Sequence, residues 1–435
     1  MSRTGPASWP PAPGRPGSVP FLVPHADPLP VARRELLALS LYSLLASNRG
    51  GLFIVFLPLY LVEVKGASLP AALVILSLAY IPASLIGPWV GRLSDRARRR
   101  RPFLIAGEAT AFPLFLSIVF APGYLLAGGL FIAAELALAI GSPAYNAYIA
   151  DVTRTEERGF GYGLLNATSN AGGVVGFLLA GWLTLEFGLG ALFPLVVAVM
   201  VGTISVVILV VPEAPVAPRP AAPSPTDGPR PVSLFPRGVL RPVYVFSFAV
   251  SIRAIGAGAL GTYYGYLAAH LGANNFDVSL VAVAGLLTGA AVSIPLGRWI
   301  DRRGEIRAIW YGTVLGIVAT LIFAFSTTWL GTLPAQSVRM AGLALLGPGM
   351  QAWVARTAPA HHRAEAQGAF ALVNSTLWST GPMVGALMIA LWGSLGLYLM
   401  ILGTTILSLA LMEILYGEMG LRARLGGRPE RLSSG

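Results

Sequence analysis

Residues 91–103 read GRLSDRARRRRPF, and residues 297–307 read GRWIDRRGEIR. Each stretch is a short basic loop between two long apolar runs. Gly91 and Gly297 stand 206 positions apart, and so do Asp95 and Asp301. The spacing persists along the chain. Arg158 and Arg363 are 205 apart, as are Gly163 and Gly368 and also Gly176 and Gly381; Arg49 and Arg253 are 204 apart. A near-constant offset at so many features marks a duplicated unit, and the basic loops lie at equivalent places in its two copies.

Composition says what the unit is built for. Of 435 residues 55% are hydrophobic and 11% charged, with a mean hydropathy of +0.70. Soluble domains carry about 25% charged residues, so the chain reads as an integral membrane protein, and all-α because its apolar runs do not alternate as the ~10-residue strands of a barrel do. A net charge of +11 raises nucleic acid as a partner, but such binders concentrate basic residues on a soluble surface. Here the basic residues lie in short loops, so no nucleic-acid partner is expected. With no cysteine there is neither a disulfide framework nor a thiolate metal site.

Apolar runs long enough to cross a ~30 Å hydrocarbon layer fall near 35–63, 69–91, 102–124, 126–149, 160–185 and 188–212, and again near 242–270, 277–299, 306–328, 330–355, 364–391 and 393–416. Residues 1–34, with nine prolines in the first thirty, read as a disordered tail. Residues 213–241 read as a Pro-rich linker, and 417–435 as a second tail. The expected domains are therefore a bundle over 35–212 and another over 242–416. Of 30 Arg plus Lys, three (Arg49, Arg253, Arg339) lie within spans and Lys65 in the loop after span 1. The rest fall in the tails, the linker and the loops after spans 2, 4, 8 and 10. All of those lie on one side, and positive residues in short loops stay cytoplasmic. The expectation is a multi-pass protein of the cell membrane with both termini inside.

These residues resemble the major facilitator superfamily of secondary transporters over about residues 35–416. The family's loop pattern, Gly-x-x-x-Asp-Arg-x-Gly-Arg-Arg, is matched from Gly91, Asp95 and Arg96, and again from Gly297, Asp301 and Arg302. The second copy keeps the later glycine as Gly304 and has Glu305 where a basic residue is usual. The resemblance implies about twelve transmembrane helices in two pseudo-symmetric six-helix bundles, with these loops as a conformational latch. Asp95 is expected to meet the positive end of a helix dipole. Span 5 is most similar to the drug:proton antiporter branch, through Gly163, Gly172, Gly176 and Gly181, although Phe177 stands where that branch has proline. Gly381 and Pro382 occupy the matching place in span 11. The bare residues support close helix packing at these glycines equally well. Gly256, Gly258 and Gly261 fit a dinucleotide-loop spacing, but they lie inside a membrane span without a strand before them, so helix packing is expected there too.

Four ionisable residues fall near span centres: Arg49, Glu135, Arg253 and Arg339, with Glu135 and Arg339 again 204 apart. A charge at the bilayer centre costs about 2.5–3.5 kcal/mol on insertion scales, so such groups face the interior or a wet cavity. The family resemblance implies that all four line one central cavity. Arg49 and Glu135 are the expected pair, Arg253 and Arg339 are left without an acid, and Glu108 is expected near a cytoplasmic end. Arg49, Arg253 and Arg339, with Asn48 and Tyr263, are the substrate-binding candidates, and Glu135 the proton carrier. No metal cluster, catalytic triad or phosphate loop is visible, so neither an enzyme nor a cofactor is expected.

The function this supports is secondary active transport by alternating access: proton-coupled export of small organic solutes by a monomer in the lipid bilayer. A sugar-like importer or an organic-anion exchanger is the alternative, since paired arginines in spans 1 and 7 resemble organophosphate antiporters. A non-transporting receptor or lipid-handling scaffold is the alternative from another class.

Overall fold

The computed structural model describes residues 31–97, 99–145, 148, 158–213, 241–357 and 363–418. The linker over 214–240, most of both tails, and Asn146 lie outside them. The side chains of Asp95, Asp301 and Asn166 also lie outside the description. No strand occurs among the described residues. The helices are α1 (Val31–Glu63), α2 (Leu69–Ala97), α3 (Arg101–Phe120), α4 (Tyr124–Leu138), α5 (Arg158–Phe187) and α6 (Leu192–Leu209). In the second half α7 is Arg241–Ser251 and Arg253–His270, continuous through Ile252 with right-handed angles (φ −54°, ψ −40°). Then come α8 (Asn275–Arg303), α9 (Glu305–Phe325), α10 (Trp329–Thr357) and one stretch, Arg363–Glu418, that breaks at Trp392 and Gly393 into α11 (363–391) and α12 (394–418).

Breaks between helices follow local chemistry. At Gly393 φ is +65° and ψ −158°, a region that glycine alone enters freely. Between α7 and α8 the chain turns at Gly272 (φ +87°) and restarts with a reciprocal cap. Asn274 Oδ1 accepts from the Asp277 amide (2.9 Å), and Asp277 Oδ2 accepts from the Asn274 amide (3.1 Å). Lys65 closes the end of α3 by donating to the Val119 and Ala121 carbonyls at 3.2 and 2.6 Å.

Nine described stretches are long and apolar enough to cross a membrane, one of them the double-length Ala366–Leu415. Their outer faces carry exposed Phe120, Leu125, Leu209 and Phe325, the surface that hydrocarbon rather than water must cover. Inside, the halves meet where α1 packs on α7, α2 on α11 and α5 on α8. Asn275 Nδ2 donates to the Thr184 carbonyl (3.2 Å) and the Met383 amide to Ser77 Oγ (2.8 Å). Gly181 admits Ser279 so closely that a Cβ there would lie 2.4 Å from its hydroxyl. These contacts seal the bundle toward the end carrying the α1–α2 and α7–α8 loops.

The basic loop after α2 is anchored to its own half. Glu213 Oε1 accepts from the Arg100 amide (2.7 Å) and the Arg101 amide (3.4 Å), so a carboxylate sits on the first amides of α3. Arg101 donates to the Val207 carbonyl (3.0 Å) and to that of Ile208 at the end of α6. Glu213 is thus an acid at the start of a helix among the described side chains, while the expectation for Asp95 falls on a side chain outside the description. In the second half Glu305, the departure from the loop pattern, takes Arg356 of α10 at 3.0 Å.

Candidate functional site

A cavity of about 860 Å³ opens between the halves on the side away from that seal. Its mouth includes Gly91 of α2 and Gly368 of α11, and it reaches inward to Arg49 of α1 and Glu135 of α4. The size suits a small organic molecule, since ligand pockets run about 300–1,000 Å³.

Its charged centre differs from the expected one. Arg49 pairs with Glu108, not Glu135: Nη1 meets Oε2 at 2.6 Å and Nη2 meets Oε1 at 3.2 Å, a two-pronged ion pair with both groups buried. Tyr42 Oη donates to the same carboxylate at 3.1 Å, and its ring lies 5.4 Å from that of Tyr145. Glu108 is therefore an interior group, not an end residue. What carries it inward is Gly107. A Cβ there would lie 3.2 Å from the Ala137 carbonyl and 3.0 Å from the Gly141 amide, so bare backbone lets α3 close against α4 and turns the next side chain to the cavity. Glu108 and Tyr42 are the site residues that sequence reasoning missed. The available signal was a carboxylate within an apolar run directly after a glycine.

Glu135 lines the same cavity in the field of Arg49 and Glu108. Among the described residues it has no hydrogen-bond or ion-pair partner. One guanidinium and two carboxylates make the described lining net negative when Glu135 is ionised. A guanidinium already held by a carboxylate has little left to offer an anion.

The expected four-charge cavity is divided. Arg253 and Arg339 line a separate space of about 40 Å³ within the second half. The helix-to-helix register accounts for the parting of Glu135 from Arg339. The Gly107–Ala137 contact of the first half has its counterpart in Gly312, whose Cβ would lie 2.7 Å from the Gly342 carbonyl. Both members are shifted by 205, not 204. One residue of shift turns a helical side chain by about 100°, so Glu135 and Arg339 point to different spaces.

Two further candidates are packing residues. Asn48 Nδ2 donates to the Leu44 carbonyl at 2.7 Å, and its Cα would lie 2.9 Å from a Cβ on Gly176. Tyr263 is buried in the core with its ring 5.9 Å from Tyr266 and 6.5 Å from Tyr398. Neither lines the large cavity. Of the loop residues, Gly91 does line it, Gly297 has open space around it, and Arg96 and Arg302 are exposed. Gly163 lies in the first turns of α5.

Two helical halves with apolar outer faces around a cavity that opens to one side have the architecture of secondary transporters. The chain belongs to the Major Facilitator Superfamily, whose family model matches residues 39–252 and 246–430. It is a transporter, not an enzyme. The class C tetracycline resistance protein of Escherichia coli is 28% identical over 317 residues, 72% of this chain and 78% of that protein. Among solved structures the fold is similar to a bacterial homolog of the human lysosomal transporter Spinster in an inward-facing, unoccupied conformation. The TM-score is 0.70 and the identity 16%, over 92% of this chain and 99% of that one. It is also similar to the nucleoside transporter NupG, with TM-score 0.73 and 13% identity over 88% and 99% of the two chains.

Proposed function

We propose that this protein is a proton-coupled exporter of small organic solutes that are aromatic and neutral or cationic. The carrying observation is Glu135: a carboxylate without a partner among the described residues, facing an 860 Å³ cavity whose one guanidinium is held by Glu108. A cationic or hydroxyl-rich solute offers Glu135 what a proton offers it, so binding of one favours release of the other. Tyr42 and Tyr145 supply aromatic faces for such a solute. The positive loops support a cytoplasmic mouth for the cavity, and the likeness to a tetracycline resistance protein supports outward movement.

The cycle has two steps. Solute enters from the cytoplasm and displaces the Glu135 proton. The halves then rock, the far end opens, and an entering proton displaces the solute. The anion-exchanger alternative needs Arg49 free and Arg253 facing the same cavity, and neither arrangement is present.

The test is flux in proteoliposomes with an imposed pH gradient, using tetracycline and a tetraphenylphosphonium-type cation as probes. Wild-type protein should move at least one of them against its gradient, and Glu135→Gln should lose the pH dependence while still binding the probe. Undiminished gradient-driven flux in Glu135→Gln, or phosphate-ester counterflow by the wild type with neither probe moved, would sink the reading.

A further inference from the structure

We infer that the second half holds a small inorganic anion of the chloride class between Arg253 and Arg339. The space is lined by α7, α9, α10 and α12 and shares no lining residue with the central cavity. Arg253 is only 9% exposed, and its Nε has no hydrogen-bond partner. Among the described residues no carboxylate pairs with it or with Arg339. Arg339 is held on one side only: Nε donates to Gln336 Oε1 at 2.8 Å, and the guanidinium lies 5.6 Å from the Tyr264 ring centre. Its remaining N–H groups and those of Arg253 are the donors left over. The hydroxyls of Thr313 and Thr405 donate to carbonyls one turn back, each at 2.7 Å, and bring no charge.

The duplication shows what is missing. Gly107 and Ala137 of the first half correspond to Gly312 and Gly342 of the second, both by 205. In that register Glu108, the carboxylate that neutralises Arg49, corresponds to Thr313, which lines the small space. The second half thus keeps the arginine and adds another, while a short neutral side chain replaces the acid. A buried Arg253 and a partly buried Arg339 without a counter-charge among the described residues carry a desolvation cost that one hydrogen bond to Gln336 and the Tyr264 ring offset only in part. A diffusible anion restores the balance the first half builds covalently. About 40 Å³ admits a halide with a water, one water needing about 10–15 Å³ on this measure. It excludes organic substrates, which need about 300 Å³ or more.

The experiment uses full-length protein in detergent, with gluconate as the starting anion. Equilibrium binding of radioactive chloride should saturate near one per chain. Tm should rise with chloride, bromide or nitrate but not with gluconate at matched ionic strength, following one-site linkage. Arg253→Gln should lose both signals. Thr313→Glu should also lose the chloride response while holding, in gluconate, the Tm that wild type reaches in chloride. Absence of saturable chloride binding by the wild type, or equal stabilisation by gluconate, overturns the inference, with water alone then solvating the arginines. Because Glu135 takes no part, loss of proton-coupled flux and loss of chloride binding are separable failures.

Discussion

Arg49 and Glu108 form a bond that the membrane makes expensive to break. Both side chains are buried, and each alone would be a charge with little hydration. Removing one partner of a buried pair costs about 3–5 kcal/mol, chiefly because the other stays behind. Glu108→Gln should therefore lower the stability of the detergent-purified protein by an amount in that range, read from a Tm shift. Adding Arg49→Gln to Glu108→Gln should restore part of the loss, because the orphaned charge is gone; strict additivity would contradict the pairing. The sequence made Arg49 legible as an interior charge but not its partner. Glu108 and Glu135 are both carboxylates in apolar runs, and depth along a helix cannot choose between them. The choice is made by the Gly107 approach to Ala137, a contact between two helices that no single helix pattern displays.

Among elements, close approach is arranged by glycines whose backbones meet carbonyls. A Cβ on Gly172 would lie 2.0 Å from the Leu44 carbonyl, and one on Gly381 2.2 Å from that of Ile255. These pack α5 on α1 and α11 on α7. Gly258 meets the Trp378 carbonyl at 2.0 Å on the same terms. That carbonyl is one turn before Pro382, which has no amide to offer it, so the proline and the facing glycine belong together. Gly258→Ala has no flexible neighbour to push aside and should destabilise by about 1–3 kcal/mol, the usual cost of overpacking. Gly403→Ala in α12, where a Cβ meets open space, should be neutral or stabilising by up to about 1 kcal/mol. Thermal melts of the two variants moving in the same direction would refute this account of the seams. Here the sequence was readable: runs of glycine at helical spacing within apolar segments announce packing seams, and the dinucleotide-like Gly256–Gly261 cluster is one of them, on α11 and α12. Which helix each seam faces was not readable, because it depends on how twelve helices are arranged.

At the scale of the whole molecule the two halves share a repeated pattern of residues but not its use. The first half turns Arg49, Glu108 and Glu135 toward the central cavity, while the second encloses its arginines behind α7. The proposed rocking of one half on the other would slide α2 along α11 and α5 along α8, the contacts that now seal one end. Ser84 of α2 and Thr376 of α11 face each other across the halves with their hydroxyl oxygens 3.5 Å apart. Since the chain has no cysteine of its own, Ser84→Cys with Thr376→Cys introduces the sole thiol pair, and a disulfide S–S bond of about 2.05 Å needs only a small closing movement there. Oxidation should tie the halves in the present arrangement, stop flux in proteoliposomes and leave probe binding from the open side intact, with flux returning on reduction. Full flux in the oxidised, cross-linked protein would mean that the halves do not move against each other at this seam, and alternating access by rocking about the central cavity would have to be abandoned.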